Sequence, residues 1–114
     1  MIVGAALVEL HVHGSQSLKQ KRGVVRSIVQ RVRSRFNLAV AEVGGQDTWQ
    51  RVVLGMTAVG SDARVVRRVL DRAIAFVEEL RLAEVRDSDI EILTLPQHEE
   101  RLELWEEDPQ SEWE

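Results

Sequence analysis

The fold is decided by residues 2–12, which read IVGAALVELHV. Successive side chains of a β-strand point to opposite faces of its sheet. One face of this stretch is apolar throughout, whereas the other turns polar at Glu9 and continues through His11 to His13. The pattern predicts a central strand that is covered on one side and partly open on the other.

Two amphipathic helices are predicted from apolar residues that recur at helical spacing. The first spans residues 17–36, where Ser17 is a typical N-cap and Gln20 completes a capping box. The second begins at Ser61 or Asp62, both of which are common N-cap residues.

Three further strands are predicted at residues 38–43, 48–59 and 89–95, and the Gly44-Gly45 turn joins the first two as a hairpin. The order is then strand, helix, strand, strand, helix, strand. With right-handed crossovers this order predicts a ferredoxin-like α+β sandwich. We expect a four-stranded antiparallel sheet in the order 4-1-3-2, with both helices on one face.

Charge divides the chain into a predicted domain at residues 1–96 and an acidic C-terminal tail at 97–114. Residues 1–95 carry 14 Lys and Arg against 11 Asp and Glu, whereas residues 96–114 carry one Arg against eight acids. We expect the tail to be disordered or a short helix, and its charge allows it to fold back onto a basic surface.

Composition predicts a cytoplasmic protein. Cysteine is absent, which favours a reducing compartment. The N-terminus lacks a basic leader, and no apolar run approaches the roughly 20 residues that span a bilayer. We therefore expect no membrane partner.

The first helix is unusually basic, because it has seven positive charges and no acid between Ser15 and Phe36. Such a surface is typical of polyanion binding, since displaced counterions favour the complex. A solvated helix face, or one paired with acids from elsewhere, is the alternative. The predicted RNA-binding residues are Lys19, Lys21, Arg22, Arg26 and Arg33. Nothing indicates DNA specificity.

Gly23 lies inside this helix, where glycine costs up to about 1 kcal/mol relative to alanine. Close packing of the helix against the sheet is the simpler explanation. Close approach of a ligand is the other.

Catalytic residues are not recognisable in the sequence, and we expect a protein without enzymatic activity or cofactor. No Gly-x-Ser-x-Gly elbow, P-loop or Gly-x-Gly-x-x-Gly motif occurs. Glu9, His11 and His13 alternate along one strand face, but positions about 7 Å apart converge poorly on one metal ion. We expect no metal at these side chains.

The sheet face without helices is predicted to be too apolar to remain solvated. Leu102 and Trp105 of the tail are one candidate cover, but a symmetric sheet-to-sheet dimer is the commoner solution, and we expect a homodimer there. RNA recognition on this face is disfavoured, because it uses aromatic residues on the central strands and only one ring is available. The predicted interface residues are Leu7, Val40, Trp49, Arg51 and Val53.

A set of short motifs resembles the YlxP-like family of domains of unknown function. They are Ser17-Leu18-Lys19-Gln20-Lys21-Arg22, Phe36-Asn37, Ala41-Glu42, Asp47-x-Trp49-Gln50-Arg51 and Leu54-Gly55. The resemblance covers residues 1–95 and implies a small bacterial ferredoxin-like protein. Because members of that family are often encoded beside translation factors, it also implies a role in ribosome maturation or translation. Ribosomal RNA or a ribosomal subunit is the implied partner.

Three functions follow as hypotheses. The first is an RNA- or ribosome-associated module that uses the basic helix. The second is a homodimeric adaptor or structural domain that uses the open sheet face. The third is a small-molecule or metal-binding regulator, which rests on fold analogy and the strand histidines.

Overall fold

A computed structural model of the chain describes residues 1–46 and 48–97. The sheet is antiparallel with strand order β2-β3-β1-β4, which confirms the predicted ferredoxin-like topology. From position 98 onward the predicted acidic tail lies outside the described residues. The elements are β1 (Ile2–His11), α1 (Leu18–Arg35), β2 (Ala39–Gly44), β3 (Arg51–Gly60), α2 (Ala63–Leu80) and β4 (Glu84–Thr94).

The core lies between the sheet and the two helices. Along β1, Ala6, Val8 and Leu10 are buried, as the alternation in residues 2–12 predicts. α2 packs over β1, β3 and β4, whereas α1 packs over β2 and against α2. The basic helix therefore lies near the β2 edge of the sheet, and the opposite sheet face carries no helix.

Both helices begin at a predicted N-cap residue, but the Gln20 side chain does not close the predicted capping box. The Ser17 hydroxyl accepts a hydrogen bond from the Gln20 backbone N–H at 3.1 Å. The Gln20 side chain accepts from the N–H of Gln16 at 2.8 Å, one residue before the cap. At α2 the cap is Asp62, whose carboxylate accepts from the Arg64 N–H at 2.8 Å.

Two strands differ from their predicted bounds by more than one residue. β4 begins at Glu84 rather than residue 89, because its polar first half pairs with β1 through backbone groups despite having little apolar character. β3 begins at Arg51 rather than residue 48, since residues 48–50 belong to the turn that follows β2.

Gly23 is exposed, and a Cβ atom built there meets nothing within 4 Å. Close packing of α1 against the sheet is therefore the wrong explanation for this glycine. Among the described residues, neither helix has the length and hydropathy that crossing a membrane requires.

Candidate nucleic-acid interface

Four of the five predicted RNA-binding residues form one exposed row along α1. Lys19, Arg22 and Arg26 follow steps of three and four residues, and Arg33 lies about two helical turns further on, so all four side chains lie on the same side of the helix. We call these four residues the α1 stripe. Within residues 1–46 and 48–97, no carboxylate forms an ion pair with any of them.

The fifth predicted residue, Lys21, is not available to a ligand, and its assignment to an RNA surface was wrong. Its side chain is 2% exposed and its ammonium lies 3.6 Å from the Glu42 carboxylate. The ammonium also donates to the backbone carbonyls of Gly45 at 2.5 Å and Arg51 at 3.2 Å. These contacts fasten α1 to the β2–β3 turn, so the lysine is structural.

The α1 arginines outside the stripe have partners within the protein. Arg31 donates to the Ser27 hydroxyl at 3.2 Å, and the Arg35 guanidinium lies 4.9 Å from the centre of the Phe76 ring. Arg33, at the end of the stripe, donates to the Val40 carbonyl at 3.0 Å and thereby reaches the β2 edge. The stripe is thus least involved in contacts within the described protein at its N-terminal end.

Gly23 was not predicted to belong to the basic surface, although the structure places it there. It is three residues before Arg26 and four after Lys19, so the three share the solvent side of α1. Without a side chain, the backbone is accessible between two cations. The signal available from sequence was the helical spacing alone.

The open sheet face contains three of the five predicted interface residues. Leu7, Arg51 and Val53 lie on it, and Arg51 donates to the Glu9 carboxylate at 2.8 Å. Val40 was placed there wrongly, since it is 3% exposed in the core. Trp49 precedes β3 in the turn and is 54% exposed.

Small residues of β2 and β3 line the part of the open sheet face where Val40 was predicted to lie. The face has a shallow groove of about 690 Å³ between exposed Leu7 on β1 and exposed Val43 on β2. Arg33 borders the groove at the β2 edge, and Asp89 and Glu91 border it at the β4 edge. Its floor includes Ala5, Ala39, Ala41, Gly55 and Thr57.

The strand histidines contact each other and β4. The rings of His11 and His13 lie 4.3 Å apart, and His13 is 3.3 Å from the Glu84 carboxylate. Partial burial and the nearby Arg86 guanidinium lower the pKa of His11. The hydrogen bond from Arg86 lowers the pKa of Glu84. In the part of the chain that the structure describes, no three His, Asp or Glu side chains are grouped to hold a metal ion.

These features define a small ferredoxin-like α+β protein with a basic helix side and an open, largely apolar sheet face. Residues 3–90 match the family described as "Protein of unknown function (DUF503)", so the chain belongs to that family. The chain is also 39% identical over 77 residues to the uncharacterized protein YlxP of Bacillus subtilis (strain 168), which covers 68% of this chain and 84% of that protein. Both matches confirm the resemblance seen in the motifs.

Solved structures with a similar fold require a correction. One is SnoaB, a cofactor-independent oxygenase from Streptomyces nogalater, with 14% identity, a TM-score of 0.47 and coverage of 86% of this chain and 97% of SnoaB. Another is At3g17210 from Arabidopsis thaliana, with 11% identity, a TM-score of 0.44 and coverage of 85% and 98%. The prediction of a protein without enzymatic activity is overturned by the oxygenase among these matches. At this identity the likeness concerns the fold alone, and it assigns no activity to this chain.

Proposed function

We propose that this protein binds RNA in the bacterial cytoplasm through the α1 stripe, by contacts to phosphate groups. The observation that carries the proposal is the absence, within residues 1–46 and 48–97, of any carboxylate paired with the stripe. Like charges three or four residues apart on a helix repel one another. A polyanion relieves this repulsion and releases its own counterions, so binding gains free energy from both effects.

The shape of the helix surface supports a backbone contact. Gly23 leaves the backbone bare between Lys19 and Arg26, and nothing from the described chain occupies that space. A phosphate group between the two cations therefore meets no side chain at this point. Contacts of this kind position RNA without reading its sequence.

The ribosomal setting rests on the family rather than on the geometry. Because resemblance to the YlxP-like family implies a role near translation, we propose ribosomal RNA or a ribosomal subunit as the partner. The basic charge supports binding to structured RNA in general, whereas the choice of ribosomal RNA rests on the family resemblance.

The proposal is tested by neutralising the exposed part of the stripe, with Lys19→Gln, Arg22→Gln and Arg26→Gln combined. Binding of purified ribosomal RNA and of isolated ribosomal subunits is measured across a series of salt concentrations. Each lost phosphate contact lowers the slope of log affinity against log salt by about 0.7–0.9. We expect a slope lower by about 2–3 and an affinity lower by at least about tenfold.

The matched control is the pair Arg81→Gln and Arg86→Gln, which removes two exposed charges outside α1. Because these arginines lie after α2 and on β4, we expect them to leave the slope nearly unchanged. A triple variant that binds like the wild type, or wild-type binding that is insensitive to salt, contradicts the proposal.

A further inference from the structure

We propose that the open sheet face binds a second copy of this chain, with the two sheets packed face to face about a twofold axis parallel to the strands. The proposal does not rest on RNA binding, although it uses Arg33 of the α1 stripe. It rests on the side-chain size and charge in the two rows of the face that contain Leu7 and Ala5, which are complementary to themselves under that symmetry.

In the central row of the face, the larger side chains lie on β4 and β1 and the smaller ones on β3 and β2. In this row Leu7 of β1 is paired with Gly55 of β3 on one side and Asp89 of β4 on the other, and Gly55 is paired with Ala41 of β2. A twofold axis that runs along the strands between β1 and β3 places β1 over the partner's β3. Leu7, which is 53% exposed, then lies over the partner's Gly55, where it packs beside the partner's Val43, whose side chain borders that glycine.

Stacked sheets lie about 10 Å apart and interdigitate through their side chains. Leucine over glycine fits that spacing, and it occurs twice in the symmetric pair. The same operation places Ala5 over the partner's Thr57, because Ala5 and Thr57 are paired across β1 and β3 within each chain. The groove floor of one copy thus receives the protruding residue of the other.

Charge is complementary under the same operation. β2 and β4 are the two edges of the sheet, so the axis places the β2 edge of one copy over the β4 edge of the other. Arg33 reaches the β2 edge by donating to Val40, which lies between the partners of Gly55 and Thr57. Asp89 and Glu91 occupy the matching rows of β4. Each copy therefore offers an arginine to two carboxylates of the other.

The perpendicular arrangement is disfavoured by the same residues. A twofold axis in the interface but across the strands places Leu7 over Leu7 and the acidic edge over the acidic edge. Bulky residues then oppose each other over an empty floor, and like charges face each other at a cost in binding free energy.

The test is the molecular mass of the whole 114-residue chain in solution, measured by light scattering and sedimentation equilibrium. We expect twice the 13.0 kDa mass of the chain. Leu7→Asp places a carboxylate against an apolar floor, and we expect the dimer dissociation constant to rise by at least about 100-fold. The control, Val65→Asp, changes a comparably exposed valine on α2 and is expected to leave the dimer intact.

A charge exchange tests the direction of the twofold axis without a substitution at Leu7. Arg33→Glu is expected to weaken the dimer, and the addition of Asp89→Arg and Glu91→Arg is expected to restore it. Circular dichroism verifies that every variant is folded. A monomer at all concentrations, a dimer that persists in Leu7→Asp, or an exchange that fails to restore association overturns the proposal. Because mass is measured without RNA, this outcome is separate from the outcome for the α1 stripe.

Discussion

Lys21 lies beneath the β2–β3 turn, where its ammonium group holds the Gly45 and Arg51 carbonyls beside Glu42. Replacement by methionine keeps most of the side-chain volume but removes the charge. The Glu42 carboxylate is then left without its cation, and removal of one partner of a buried pair costs about 3–5 kcal/mol. We expect Lys21→Met to lower the free energy of unfolding by about 3 kcal/mol in urea denaturation.

Lys19→Met is the matched control, because it removes the same group two residues earlier from an exposed position. Exposed substitutions usually change stability by no more than about 0.5 kcal/mol. Equal losses in the two variants contradict a structural role for Lys21. Sequence alone does not separate these lysines, since the carbonyls that bind Lys21 come from residues 24 and 30 positions later.

Gly23 offers a second prediction at this scale. It is helical, exposed and free of neighbours that a methyl group meets. Gly23→Ala is therefore expected to raise the free energy of unfolding by up to about 1 kcal/mol. Gly45→Ala is the contrasting variant, because Gly45 has a φ of +80° and its added Cβ meets the Arg51 carbonyl. A Gly23→Ala variant that loses stability as Gly45→Ala does contradicts this interpretation.

At the scale of elements, the paired ends of β1 and β4 make stability depend on pH. His11 has a lowered pKa because of partial burial and nearby Arg86, so the folded chain binds its proton less readily than the unfolded chain. Stability from this group is fully present above the ordinary histidine pKa of 6.5 and is lost as the pH falls below that value and through the lowered pKa of the folded chain. The lowered pKa of Glu84, held by Arg86, acts in the same direction at more acidic pH.

We expect the thermal midpoint to fall between about pH 7.5 and pH 5.5, which bracket the histidine titration, and to fall less in His11→Gln. Thermal unfolding followed by circular dichroism at both pH values measures the difference. Parallel pH profiles for the two proteins count against a contribution from His11.

Elements with one strongly apolar face were predicted well, and the edge strands were not. The alternation of β1 and the helical spacing of α1 and α2 were sufficient because burial dictates their residues. β4 was predicted only from residue 89 onward, since the polar residues Glu84, Asp87 and Ser88 depend on β1 for pairing. In β2, Val40 and Glu42 face the helices and small alanines face outward, so hydrophobicity alone gave the wrong face.

At the scale of the whole molecule, element order determined the topology, and the sites followed only in part. Right-handed crossovers leave few arrangements for this order of strands and helices, and the predicted strand order was confirmed. Which cations are free, and which residues of an edge strand face outward, depends on contacts between distant segments. The α1 stripe was therefore predictable as a row, whereas the groove floor on the opposite face was not.

The position of α1 at one side of the sheet gives the described part of the chain an electric dipole. The acid-free helix lies over β2, and Glu84, Asp87, Asp89 and Glu91 lie along β4, about 14 Å away across three strand spacings. The field of a polyanion exerts a torque on such a dipole, so a single chain turns α1 forward before contact and is steered on approach. In the face-to-face dimer the two lateral dipoles point in opposite directions and cancel. The dimer therefore loses this orientational steering. Its two α1 helices instead form two basic regions at diagonally opposite corners of the assembly.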